Sequence, residues 1–247
     1  YWTLDYNFTY NSNKILDLSG VTSDGAPVAN TGIKIGTDKY LEYQQVGHPM
    51  NSFWVFQQAY DKNGKAIEGA VVDRNGDGQI TNDDRYYYKS PAAPVTMGLA
   101  SRLEYKNWDF SFSLRANLGN YVYDAVSQGF HNVSPNALWA STNFLTNKTA
   151  SAVADNWATD ETSSTLTDRW VHNASFLKCD NITLGYSFEN LFKCAKYHGI
   201  SGRAYVTASN VFTITNYDGI DPEVFNGYDN NVYPRPFSLI VGLNLNF

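Results

Sequence analysis

The chain has 247 residues, a formal net charge of −6 and 15% aromatic residues, with 18 Tyr, 14 Phe and 6 Trp against 17% charged residues. That composition excludes a coiled coil, a collagen-like fibre and a disordered tail, and an acidic balance without clustered Lys and Arg excludes a nucleic-acid partner. Cys179 and Cys194 are too few for a disulfide scaffold, and no apolar run is long enough for a transmembrane helix, which leaves membrane β-strands open because apolar residues alternate along them.

Tyr1 opens directly into a strand pattern, with no initiator Met and no basic or apolar leader, which suits a mature protein, a fragment or the ordered part of something longer. Trp2, Leu4, Tyr6, Phe8 and Tyr10 fall on one face of that first strand, and Thr3, Asp5, Asn7 and Thr9 on the other. Weaker strand candidates follow at Tyr40 to Val46 and Phe53 to Tyr60.

Next comes the strongest local motif, Asp73-Arg74-Asn75-Gly76-Asp77-Gly78-Gln79-Ile80-Thr81-Asn82-Asp83-Asp84. Asp73, Asn75 and Asp77 stand at loop positions one, three and five, Gly76 at the sharp turn, the Gln79 carbonyl at seven and Asp84 at twelve, the spacing that wraps oxygens around Ca²⁺. Asp replaces the usual Glu at the last position. No second hand or amphipathic flanking helix accompanies the loop, so the expected ion is structural.

Val95 to Tyr105 and Trp108 to Leu118 are clean alternating strands joined by a tight turn at Lys106 and Asn107. The long segment after Leu118 contains Ser134-Pro135, a helix start that leads into Ala137, Leu138, Phe144 and Leu145. Further alternation appears at Asn181 to Phe188 and from Phe237 to a terminal Phe247, with a weaker strand candidate between them at Arg203 to Phe212.

Three features point to lipid as the solvent of the apolar face. The clean strands have the length of a tilted membrane strand, aromatic residues gather at their ends, and the opposite face carries Asp5, Arg102, Glu104, Asp109 and Arg115. Short turns alternate with long connections, as in barrels with short periplasmic turns and long external loops. The predicted fold is therefore all-β: about six to eight strands of an antiparallel transmembrane β-barrel with long extracellular loops. A secreted, calcium-stabilised β-sandwich that binds carbohydrate shares the alternation, the aromatics and the loop motif. It would be a soluble monomer.

His48, His131, His172 and His198 are scattered, and no spacing assembles an acid, a base and a nucleophile. No catalytic residue is assigned, and the chain is not expected to be an enzyme. Ligand or partner contact is assigned to loop aromatics, Trp139, Trp157, Trp170, Tyr217, Tyr228 and Tyr233, because sugars and peptides stack on such rings.

The run from Val72 to Tyr105, with the calcium-like loop, Pro94, Gly98 and Leu103-Glu104-Tyr105-Lys106-Asn107-Trp108, resembles the C-terminal barrel of SusC/RagA-type TonB-dependent outer-membrane transporters. So do Asn181 to Ser187, Ala208 to Thr215 followed by Asp221-Pro222-Glu223, and Tyr233-Pro234-Arg235-Pro236 leading into the last strand. The resemblance implies an outer-membrane location and energised uptake of an oligosaccharide or peptide. It also implies a SusD-like surface lipoprotein, TonB acting through an N-terminal part, and the remainder of the barrel as partners, with lipid around it. No plug domain is recognisable in residues 1–247; they read as the C-terminal part of the barrel, including the loop at 73–84.

Overall fold

The computed structural model describes residues 1–21, 26–29, 33–36, 39–132, 150–155, 157, 166–191, 199–230 and 233–246. Six long strands dominate it: β1 (Trp2–Tyr10), β2 (Val95–Tyr105), β3 (Trp108–Leu118), β4 (Phe176–Leu191), β5 (Ile200–Thr215) and β6 (Ser238–Asn246). They form one sheet in chain order, each antiparallel to the next. Arg203 to Phe212 lies within β5, whereas the two early candidates became short strands, Lys39–Tyr40, Glu42–Gln44, Ser52–Phe56 and Gln58–Tyr60, outside this sheet.

Register converts the alternation of single strands into two continuous faces. Leu4, Ser101, Phe112, Ile182, Ala208 and Leu239 stand opposite one another across all six strands. A slip by one residue anywhere would turn a strand's apolar set to the wrong side. The two-residue turn between β2 and β3 is tightened by Lys106, whose φ of 53° lies in the left-handed region.

β4 contains an irregularity with consequences for the inner face. Pairing jumps from Cys179 opposite Phe212 to Asn181 opposite Ser209, and Asn210 opposite the gap takes a φ of 52°. The bulge resets the alternation, so that Cys179 shares the apolar face with Leu114 while Asn181 shares the polar face with Ser113. Cys179 is buried; Cys194 and the Ser134 helix start lie outside the described residues.

All three long connections, residues 11–94, 119–175 and 216–237, leave from one end of the sheet. Two of these connections supply one hydrophobic core, in which Leu41, Phe53, Val55 and Tyr123 are fully buried and Trp157 and Trp170 nearly so. Ser52–Phe56 shows why: Phe53 and Val55 point into the core while Trp54 points away. Tyr121–Asp124 pairs antiparallel with Val171–Asn173 and parallel with Tyr228–Asp229, which ties the second and third connections together. Helices α1 (Ala125–Asn132) and α2 (Ala150–Asp155) complete this loop platform.

Among the described residues the long sheet has no comparable cover. Leu4, Leu103, Leu184, Val241 and Leu243 all remain exposed on its apolar face. Among the described residues no second sheet lies against that face, which separates the fold from a sandwich. No described helix is long and apolar enough to cross a membrane, a statement that does not bear on strands.

Candidate functional site: a polar wall fastened to a loop platform

The inner face of the sheet carries the charges, and most are paired, some of them across strands. The Arg203 guanidinium on β5 reaches over β4 to the Asp109 carboxylate on β3, with Nε donating to Oδ1 at 2.8 Å and Nη2 to Oδ2 at 2.5 Å. Gly185 makes this span feasible, since a Cβ there would collide with both side chains. Arg102 donates to Glu104 at 2.8 Å, and the Thr183 and Thr207 hydroxyls meet at 2.9 Å.

At the loop-bearing end, six charges from four stretches of chain form one network. Arg115 on β3 donates to both oxygens of Asp180, at 2.9 and 3.1 Å, and to both oxygens of Glu223, at 2.5 and 3.1 Å. Lys178 on β4 donates to Asp221 at 2.7 Å and to Glu223 at 3.0 Å. Arg235 closes the network through Asp221 at 3.2 Å and Glu223 at 2.5 Å. Cations and carboxylates balance, so charges that would be costly to desolvate singly are mutually compensated. Lys178 and Asp221 are almost fully buried, with side chains 7% and 6% exposed. Burial alone would raise the Glu223 pKa, but the Arg115 and Lys178 hydrogen bonds outweigh it and hold the group at about 2. The network fastens segment 216–237 to the inner face of the wall.

Sequence reading did not single out Arg115, Lys178, Asp180, Asp221, Glu223 and Arg235 as a unit. Asp221-Pro222-Glu223 and the Arg235 flanked by prolines stood out as motifs, but their partners lie far away in sequence, and the β4 bulge sets which way Asp180 points.

The calcium-like loop is folded by its own side chains. Asp73 accepts from the Gly76 and Gly78 amides at 2.6 and 2.8 Å, Asn75 from Asp77 at 3.0 Å, and Asp77 from Gln79 at 2.7 Å. Asp84 is fully buried and accepts from the Arg74 and Thr81 amides, each at 2.8 Å. The Thr81 amide above all, with those of Arg74 and Asn75, keeps the Asp84 carboxyl below its ordinary pKa. Left-handed Gly76 and Gly78, with φ of 74° and 80°, let the chain wrap this tightly. The Arg74 and Asn75 amides both donate to Asp84 Oδ1, so the two ends of the motif meet. The donor set of carboxylate, amide and carbonyl oxygens suits a hard cation. Among the described residues, no group of three or more His, Cys, Asp and Glu side chains is gathered as a metal cage.

The six aromatics assigned to contact fall into different environments. Trp139 lies outside the described residues. Trp157 and Trp170 meet edge to face at 6.0 Å inside the platform core, each 3% exposed. Tyr217 is 5% exposed and donates its hydroxyl to Asp229 at 2.8 Å. These three rings are packing residues because the long connections fold on themselves and need a core. Tyr228 is half-buried and stacks near Tyr123 at 6.2 Å, whereas Tyr233 is 86% exposed.

A single layer with one apolar face, one charged face and its long loops at one end defines a stretch of membrane β-barrel wall. The chain is similar along its whole length to the barrel of SusC-type TonB-dependent receptors. It is 49% identical over 247 residues to the TonB-dependent receptor SusC of Bacteroides thetaiotaomicron, which covers all of this chain and 24% of SusC. It is 27% identical over 279 residues to the TonB-dependent receptor P3 of Formosa agariphila, covering all of this chain and 27% of that receptor. The chain thus spans about a quarter of the length of these curated relatives. A solved structure of the RagAB peptide transporter superposes with a TM-score of 0.72 at 22% identity, over all of this chain and 27% of that one. The RagAB importer in its open-open state gives 0.67 at 20% identity, with the same coverage. No protein-family model matches the chain. The relatives are named as receptors and a transporter rather than enzymes.

Proposed function

We propose that the chain supplies part of the wall and outer loops of a TonB-dependent nutrient importer in the bacterial outer membrane, one that takes up oligosaccharides or peptides. The observation that carries this reading is the 49% identity to a TonB-dependent receptor along the whole chain. The six strands leave two open edges, which lipid does not tolerate, so further strands complete the barrel. The apolar face meets lipid, the inner face lines the lumen, and the platform faces outward, where a SusD-like lipoprotein delivers substrate. TonB drives release through a plug belonging to the rest of the protein.

In this scheme the charge network around Lys178 and Glu223 has a mechanical role. It keeps segment 216–237 on the wall while substrate passes, because opening it would strand buried charges. The loop at 73–84 holds Ca²⁺ through Asp73, Asn75, Asp77, Asp84 and the Gln79 carbonyl, stiffening the platform. Calcium titration of the full-length receptor should raise its melting temperature, and Asp73→Ala should abolish that rise; unchanged melting in the unaltered receptor would remove the ion from the account.

Uptake tests the main reading. Cells carrying the full-length receptor should accumulate labelled oligosaccharide or peptide. Loss of either the receptor or TonB should stop that accumulation. Uptake that persists without either component would contradict the proposal.

A further inference from the structure

The outward face of the wall changes character at the end opposite the long loops, around the tight turn between β2 and β3. Three aromatic rings stand in one row there, because Tyr105 on β2 pairs with Trp108 on β3 and Trp108 pairs with Tyr186 on β4. Trp108 and Tyr186 pack with their ring centroids 4.8 Å apart. Beside them the Lys106 ammonium lies 5.4 Å from the centre of the Tyr105 ring, within range of a cation–π contact. The next outward row, Leu103, Phe110 and Leu184, is apolar and exposed. Two residues of strand separate the rows, a step of ~7 Å along the wall.

Backbone geometry singles out Lys106. A two-residue hairpin turn with positive φ is ordinarily built from Asn or Gly, yet Lys106 takes a φ of 53°. The turn is firmly seated all the same. The Asn107 side-chain amide donates to the Ser187 carbonyl at 2.7 Å, and the Ser187 backbone amide donates to the Asn107 carbonyl, also at 2.7 Å. Its charge is unspent, since the neighbouring carboxylates, Glu104 and Asp109, lie on the inner face and are bonded to Arg102 and Arg203. Among the described residues Lys106 enters no ion pair, and the Trp108 indole N–H and the Tyr105 and Tyr186 hydroxyls have no hydrogen-bond partner. The cluster occupies β2, β3 and β4, with β1 and β5 on either side, so the strands that complete the barrel lie beyond it.

We propose that this cluster is a binding site for the phosphate-bearing headgroup of one phospholipid in the membrane leaflet on the turn side. The order of chemistry along the wall selects the occupant. From the turn towards the middle of the wall it runs ammonium, rings with polar tips, then hydrocarbon, which is the order of phosphate, ester and acyl chain in a phospholipid. An ammonium donates to phosphate oxygens in charge-assisted hydrogen bonds. Indole and phenol rings settle at the interfacial depth, where their N–H and O–H groups meet ester oxygens. Rings alone would hold any lipid in passing, and the ammonium fixed beside them discriminates for the phosphate. The loop-bearing end differs: its outward row of Tyr10, Val95 and Leu118 contains no cation.

Lys106→Asn removes the charge and supplies a residue that the turn favours, whereas Lys106→Arg keeps the charge. Trp108→Ala removes the central ring. The full-length receptor in mild detergent is titrated with phosphatidylglycerol, with diacylglycerol of the same chains and with phosphatidylglycerol plus inorganic phosphate, and bound lipid is counted by native mass spectrometry. The unaltered receptor should retain phosphatidylglycerol in preference to diacylglycerol. Lys106→Asn and Trp108→Ala should each weaken that retention about tenfold, and Lys106→Arg should preserve it, with Lys106→Asn assembling in the membrane at the normal level. Equal retention of phosphatidylglycerol by the unaltered receptor and Lys106→Asn overturns the proposal. So does equal retention of the two lipids by the unaltered receptor, which would mean contact through the chains alone. Displacement of the lipid by inorganic phosphate also overturns it, because the site would then serve a soluble anion.

Discussion

The wall and the loop platform are made from similar residues, yet they solve burial in opposite ways. In the platform, Phe53, Val55 and Leu41 are fully buried and Trp170 is packed against Trp157. In the wall, Leu4, Val241 and Leu243 face outward and are covered by none of the described residues. The platform excludes water with its own core, at ~25 cal/mol per Å² of apolar surface covered; the wall leaves that task to lipid. Hence the polar residues of the wall gather on the other side, where many pair with one another.

Substitutions that act on one region and spare the other sharpen this contrast. The largest effect should come from Phe53→Ala, which opens a cavity in the platform core and should destabilise it by about 3–5 kcal/mol. Thermal unfolding should show an early loss of platform structure with the barrel intact, and a single unshifted transition would contradict the separation of the two regions. Lys178→Met leaves the Asp221 and Glu223 carboxylates short of a cation beside the wall, at a cost of about 3–5 kcal/mol. Proteolysis should then cut within 216–237 sooner than in the unaltered protein.

Val241→Lys puts a charge on the outward face of β6, 75% exposed in the isolated chain, and should cost about 2–4 kcal/mol near the membrane midplane. Its readout is the amount of folded receptor in the outer membrane; a normal amount would mean that this face does not meet lipid. The mildest expected effect is that of acid. Glu223 has its pKa lowered from 4.5 to about 2, so its contribution is complete above about pH 4.5 and is lost as pH falls toward 2. Proteolytic release of segment 216–237 should therefore rise on acidification across that range, and greater release at alkaline pH would reverse the assigned sign.

The strands of the wall were legible because a two-sided environment imposes a period of two on every residue, as Trp2 to Tyr10 and Val95 to Leu118 display. The early candidates at Tyr40 to Val46 and Phe53 to Tyr60 were recognised as strands, but their membership of the platform was not visible, since a small soluble core also selects alternation. Trp157, Trp170 and Tyr217 looked like contact residues for the same reason: an aromatic ring in a long connection reads identically whether it faces a ligand or fills a core. The Asp73 to Asp84 loop was legible as a turn of oxygen-bearing side chains because its Asp and Asn side chains bond within the loop itself.

By itself the sequence determined which residues alternate, where the chain turns and which short stretch can encircle a cation, since those properties depend on neighbours a few positions away. Only the tertiary structure decided which polar groups are paired with one another. Arg115 meets Glu223, and Arg203 meets Asp109, through an antiparallel register and the bulge at Asp180, which bring together residues far apart along the chain.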